Sequence, residues 1–358
     1  MRSRIRRSSR LVTGLAASTA TLLALTGCAA LGGEPDSNAS KTVVVATHDS
    51  WNMPDDLIAQ FEEQTGLTVR IQPQGDAGQL TNKLVLTKDD PIADMEYGVD
   101  NTFASRAVDN GVLQDADVDT PPSVDAHRLD GAGHDQLVPI DYSDVCVNVD
   151  DTWFAEHHRT PPRTLADLTR PAYRGLFVTP GASSSSPGMA FLLATIARYG
   201  DQWPSYWRKL MANETLVTSG WTDAYEVDFT GGGGKHGTRP IVLSYSSSPP
   251  FTIPEGATRP TTSALLDTCF RQVEYAGVLA GAANPAGARK FIEFMTQRRF
   301  QSALPDNMYV YPVLDSAEVP EDWSRWAPTA PDPYQVPADE VAANRSRWLT
   351  TWRDIVTG

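Results

Sequence analysis

Two long extended segments, residues 138–149 and 268–279, set the frame for this sequence. They divide the chain into thirds. A chain that crosses twice between two lobes has this layout. The first third begins one lobe, the middle third builds the other, and the last third returns to the first. The cleft between two such lobes is a favoured place for a small ligand.

Each third carries the alternation of an α/β sheet. Lys41-Thr-Val-Val-Val-Ala46 is β-branched, apolar and short, which predicts a first strand. Over residues 55–64, Leu57, Ile58 and Phe61 share one helical face, and Gly66 ends the helix. Leu67, Val69 and Ile71 then alternate as a second strand. Strand, helix and strand make a βαβ unit, so the fold class is α/β. Further strands are expected over 93–99, 177–178 and 241–244, with Asp100-Asn101 capping the helix that follows the first of these. Helices are expected over 188–199, 285–304 and 338–355, the last carrying Trp348 and Trp352 at i, i+4 spacing as core residues.

The first 27 residues stand apart. They open with Arg2, Arg4, Arg6, Arg7 and Arg10, hold no acidic residue, and run on through a mild apolar stretch. That describes an export signal. Its ending, Leu25-Thr26-Gly27-Cys28, resembles the bacterial lipoprotein signal, in which Cys28 receives the lipid. Residues 28–40 read as a flexible tether. The body is therefore expected outside the cytoplasm, lipid-anchored to the outer face of the cell membrane. Beyond the signal, 25 basic residues face 44 acidic ones, a formal charge of −19. Such a surface argues against nucleic acid and mildly favours a cationic ligand. Two cysteines remain, Cys146 and Cys269, an even pair in an oxidising location, which suggests one disulfide. No metal-ligand spacing occurs, and no cofactor is expected.

Four segments at strand ends could carry binding chemistry. They are Asp49-Ser50-Trp51, Asp100-Asn101, Ser183-Ser184-Ser185-Ser186-Pro187-Gly188, and Ser244-Tyr245-Ser246-Ser247-Ser248-Pro249. The ligand crevice of an α/β sheet lies just past the carboxyl ends of its strands. The serine run precedes a helix, where free N–H groups and hydroxyls make either an anion site or an ordinary N-cap. Trp51, Trp221, Tyr225, Tyr245 and Tyr309 lie near these turns. Aromatics beside carboxylates suit a flat, positively charged ring. The glycine-rich stretch 230–238 lacks the spacing of a phosphate-binding P-loop.

Taken in order, Asp49-Ser50-Trp51, Gly98-Val-Asp-Asn101, Ile140-Asp-Tyr142, Ser186-Pro-Gly188, Gly220-Trp-Thr-Asp-Ala-Tyr225, Val242-Leu-Ser-Tyr-Ser-Ser-Ser-Pro249, Gln272-Val-Glu274 and Tyr311-Pro-Val313 resemble the thiamine-binding proteins of bacterial ABC transporters. The resemblance covers about residues 42–352. It implies the two-lobed periplasmic-binding fold of type II, a monomer, with lobe 1 from residues 41–143 and 272–358 and lobe 2 from 144–271. It implies thiamine or a thiamine phosphate as ligand and an ABC permease as partner. Trp221, Tyr245 and Tyr309 would frame the ligand's rings, with Tyr225 close by. Ser185 and Ser186 would face a phosphate, with Ser246 beside Tyr245 in the same binding set. Asp49, Ser50, Trp51, Asp100 and Asn101 would come from the opposite lobe, and Asp141 and Tyr142 from the entry to the first crossover. The family often has Trp where this chain has Tyr309. Cys146 and Cys269 are not family features; both fall on the crossovers, where a disulfide would staple the hinge.

Two other functions remain open at this level. One is a binding protein for a different solute, such as a phosphonate, a polyamine or ferric iron. The other is an enzyme resembling thiaminase I, with Cys146 as nucleophile and Glu274 as base. The second needs a free thiol, which a disulfide would remove.

Overall fold

The computed structural model describes residues 40–233 and 236–358. The expectations for the export signal, for Cys28 and for all but the last residue of the tether lie outside the described residues. In chain order, β1 (Thr42–Thr47), α1 (Asp55–Thr65), β2 (Thr68–Pro73), α2 (Ala77–Leu86), β3 (Met95–Asp100), α3 (Ala104–Asp109) and α4 (Pro122–Asp125) lead to β4 (Leu137–Asp150). Then α5 (Asp151–Glu156), β5 (Phe177–Pro180), α6 (Ser186–Tyr199), α7 (Trp203–Ala212), β6 (Leu216–Thr218) and β7 (Ile241–Tyr245) lead to β8 (Thr262–Val278). The chain ends with α8 (Pro285–Met295), α9 (Arg298–Met308), β9 (Tyr311–Pro312), α10 (Trp323–Trp326) and α11 (Ala338–Thr357).

Among the described residues these strands form one nine-stranded sheet in the order β2-β1-β3-β8-β4-β7-β5-β6, with β9 paired to β4. The outer strands pair in parallel, β1 with β2 and β3, and β5 with β6 and β7. The two crossovers, β4 and β8, run antiparallel through the middle, from Leu137 opposite Gly277 to Asp150 opposite Thr262. Three chemically different links join them in succession. Asp141 faces Glu274, Asp144 faces Arg271 in an ion pair, and Cys146 is bonded to Cys269. At the last of these β8 bulges: Val145 pairs with Phe270 but Val147 pairs with Leu265. The disulfide closes that bulge.

Burial follows the sequence pattern. Helix α6 is buried from Ser186 to Ile196, a continuous apolar run rather than a stripe, because it lies between the sheet and α7. A side chain at Gly188 would meet the Gly181 carbonyl oxygen at 2.5 Å, so only glycine allows the close packing at its start. Phe191, Trp207 and Trp352 stack edge to face in a row, at 5.4 and 5.7 Å. Trp348 and Trp352 are core residues, as their spacing predicts. Helix α11 packs on both α3 and α7, with the Arg345 guanidinium 4.5 Å from the centre of the Phe103 ring.

The single helix expected over 285–304 is two helices. Gln297 is extended (φ −77°, ψ 148°), which ends the first and starts the second. The cause is tertiary. The buried Gln301 amide donates to the carbonyls of Met295 and Ile140, both at 2.8 Å, while its oxygen accepts from Val313 and Leu314. The carbonyl freed by the break is thereby satisfied.

Candidate functional site

A cavity of about 440 Å³ opens where the strand ends of the two halves of the sheet meet. One wall is the loop after β1. Trp51 stands there edge-on to Tyr97, with centroids 5.4 Å apart. His48 is buried, and its Nδ1 accepts from the Ser50 backbone N–H, which leaves Nε2 to carry the proton and point toward Glu274, 3.8 Å away. Burial lowers the His48 pKa to about 4, so the ring is neutral.

The facing wall is aromatic. Trp221 and Tyr225 stack nearly parallel at 5.0 Å and 13°, on either side of a π-helical turn's start. The Trp221 indole N–H donates to the Ser244 hydroxyl at 2.9 Å, fixing the ring's height above β7. Tyr245 lies 6.4 Å from Trp221, tilted by 51°. Tyr309 caps α9 in the left-handed region (φ 56°) and meets Phe251 edge to face at 4.9 Å, so these two rings border the cavity side by side.

The floor is acidic. The Tyr97 hydroxyl donates to Asp141 at 2.6 Å, and Gln272 donates to Glu274 at 3.2 Å. Burial, and for Glu274 also the neighbouring Asp141, pushes these carboxyls up, Asp141 to about 7 and Glu274 well above its ordinary range. Two buried carboxyls this close hold a proton between them at neutral pH. At the mouth, burial and the facing Asp223 raise the Asp49 carboxyl. Flat aromatic faces over an acidic floor attract a flat cation through its ring and its charge together. Among the described residues no group of three or more His, Cys, Asp or Glu is placed to hold a metal ion, and no helix is long and apolar enough to cross a membrane.

Of the residues expected from sequence, Asp49, Ser50, Trp51, Ser186, Trp221, Tyr225, Tyr245 and Tyr309 line the cavity together. Asp141 lies just beneath it, against Tyr97. Asp100 is buried and accepts from Thr102 and Phe103, so it holds the turn before α3 instead of capping that helix. The Asn101 side chain is spent on β8, donating to the Arg271 carbonyl and accepting from Val273 N–H. Ser185 and Ser246 are fully buried, the Ser185 hydroxyl bonded to Asp76 and that of Ser246 without a partner. Tyr142 needs correction. Side chains alternate along a strand, so with Asp141 turned to the floor Tyr142 turns away. It stacks between His127 and Tyr311, at 4.8 and 5.5 Å, and is not a wall of the cavity. The enzyme reading needs correction as well. Cys146 is bonded to Cys269, so the required nucleophilic thiol is absent.

Sequence reasoning missed Asp76, His48 and Phe251 as lining residues. Asp76 follows β2 and caps α2, so the rule that selects loops at strand ends applies to it too.

Residues 56–331 match the family described as bacterial extracellular solute-binding protein. The thiamine-binding periplasmic protein of Brucella suis is 29% identical over 342 residues, which is 93% of this chain and 97% of that protein. That of Escherichia coli is 28% identical over 325 residues, covering 89% and 94%. Among solved structures, a periplasmic thiamin binding protein superposes with a TM-score of 0.77 at 28% identity, over 88% of this chain and 96% of that one. AfuA from Actinobacillus pleuropneumoniae, with fructose-6-phosphate bound, superposes at 0.70 and 17% identity, over 89% and 99%, a likeness of fold alone.

Proposed function

Because the chain belongs to the family of bacterial extracellular solute-binding proteins, we propose that it captures thiamine or a thiamine phosphate in this cavity and delivers it to an ABC permease. Its fold is the two-lobed periplasmic-binding fold of type II. The observation that carries the ligand is the stacked Trp221–Tyr225 pair facing the acidic Asp141–Glu274 floor. Thiamine offers a flat cationic ring to the first and ring nitrogens to the second. The curated relatives bearing a thiamine-binding name support the same assignment.

The lobes divide at the crossovers, lobe 1 from residues 41–143 and 272–358 and lobe 2 from 144–271. The distribution of parallel strands on either side of β4 and β8 supports this division. Ligand draws the lobes together, and the closed face is what the permease reads. The protein acts as a monomer outside the cytoplasm, held to the cell membrane by lipid on Cys28; the Leu25-Thr26-Gly27-Cys28 ending supports the anchor.

Calorimetric titration with thiamine, its monophosphate and its diphosphate tests the ligand. Saturable heat with at least one of the three is expected. No heat with any of them, or retention of a different solute in a native mass spectrum of the purified protein, overturns the assignment.

A further inference from the structure

One wall of the cavity is completed by a phenylalanine that reaches from one lobe to the other. With the lobes divided at the crossovers, Phe251 belongs to lobe 2 and Tyr309 to lobe 1. Their rings meet edge to face at 4.9 Å and 80°. Both line the cavity, and Phe251 is 49% exposed, so the outer half of its ring stands at the mouth. On the inner side Phe251 lies 6.4 Å from Tyr225, which stacks on Trp221. The rings of Trp221, Tyr225, Phe251 and Tyr309 therefore form one row across the cleft.

Neither ring hangs on a loose loop. Phe251 follows Pro249 and Pro250, whose rings fix φ, and its N–H donates to the Ser248 carbonyl at 3.1 Å. The Ser248 hydroxyl bonds that of Ser244 at 2.8 Å, and the Thr252 hydroxyl bonds that of Thr262 at 2.9 Å, so the turn is tied to β7 and β8. Tyr309 holds a left-handed backbone, φ 56°, which a residue with a side chain keeps only where its surroundings impose it. Here the loop after β1 imposes it. The Asn52 amide donates to the Asn307 carbonyl at 3.2 Å, and the Asn52 N–H donates to the Met308 sulfur at 3.1 Å. The two rings are thus held by separate lobes and meet only while the lobes are together.

We propose that Phe251 is the clasp of the cleft: its contact with Tyr309 holds the lobes closed over the bound solute and sets how slowly that solute leaves. The proposal rests on the solute-binding reading of this cavity and takes thiamine from it as the probe. The contact exists only between closed lobes, so it weighs on opening and not on entry. Its loss therefore shows in the release rate, where most differences in affinity among variants of one site lie. An edge-to-face pair contributes a factor of roughly three to ten.

Stopped-flow tryptophan fluorescence with thiamine reads entry and release separately. It is applied to the wild type, Phe251→Ala, Phe251→Tyr, Tyr309→Ala and the Phe251→Ala/Tyr309→Ala double variant. Urea unfolding of the same proteins without ligand checks that each is folded. Phe251→Ala is expected to release thiamine roughly threefold to tenfold faster, while association changes by less than about twofold. Phe251→Tyr keeps a ring edge and restores slow release. In the Tyr309→Ala background, Phe251→Ala should add less than about twofold, because its partner is gone. Unchanged release in folded Phe251→Ala, or an equal factor in both backgrounds, overturns the proposal. If none of the proteins binds thiamine, the unfolding data decide: coupling between the two substitutions sustains the clasp and sinks the thiamine assignment, and strict additivity sinks both.

Discussion

Asp141 and Glu274 face each other in register across β4 and β8, and Tyr97 donates a hydrogen bond to Asp141 at 2.6 Å. Buried His48, neutral, flanks Glu274, and buried Asp100 adds to its load. The folded pair keeps a proton that the unfolded chain releases near its ordinary value of about 4. The folded values are raised, Asp141 to about 7. The stability these groups contribute is therefore fully present below about pH 4 and is lost as pH rises through about 7. The slope expected is on the order of 1 kcal/mol per pH unit between about pH 5 and 7. Urea unfolding across that range measures it, and Asp141→Asn should flatten the profile. An equally steep profile in the variant rules out this origin.

A cation seated above the same floor favours its ionised form. Binding of thiamine should therefore release a fraction of a proton near neutral pH, and affinity should rise from about pH 6 to about pH 8. Calorimetry in buffers of different ionisation enthalpy reads the proton directly. Proton uptake would contradict the model of the floor.

Trp221→Ala removes one ring of the stacked pair and the indole bond to Ser244. Affinity should fall by about 1.4–2.8 kcal/mol, roughly tenfold to a hundredfold. Tyr225→Phe should leave folding unchanged or slightly improved, because the Tyr225 hydroxyl is buried with no partner in the free protein. Thermal unfolding of the two variants beside ligand titration separates these effects.

The Cys146–Cys269 bond spans 123 residues. Closing so long a loop restricts the unfolded chain, and its loss should cost about 2–4 kcal/mol. Denaturant unfolding with and without reductant, or of a Cys146→Ala/Cys269→Ala double variant, gives the number. A midpoint that does not move would show that the bulge in β8 is held by its packing alone.

Gln301→Ala should be among the most damaging single changes, at about 3 kcal/mol or more. It strands the carbonyls of Ile140 and Met295 and the N–H groups of Val313 and Leu314 in the interior. Unfolding by urea tests it. A loss below about 1 kcal/mol would mean that the α8–α9 junction is held by other contacts.

Much of this was legible in the sequence because it is written in periodicity. The crossovers announce themselves as long extended runs, and Leu57, Ile58 and Phe61 mark the buried face of α1. The α8–α9 break is not periodic at all. Residues 285–304 keep their apolar face through Thr296 and Gln297, and what breaks the helix is a glutamine buried against a distant strand. Asp76 was open to the strand-end rule through its place after β2; what the sequence could not show is its partners, 110 and 145 residues away. Tyr142 was avoidable. Adjacent residues on a strand point to opposite faces, so Asp141 and Tyr142 could not both face the cleft.

The strand order has a consequence for how the chain is made. β3 and β4 follow each other in sequence, yet β8 lies between them in the sheet. A chain emerging N-terminus first therefore holds an open seam until Val278 has been synthesised, and Trp352 reaches Trp207 only at the very end. Contacts so distant in sequence close slowly. A sheet that cannot be finished early leaves its central strands unpaired until almost the whole chain has been made.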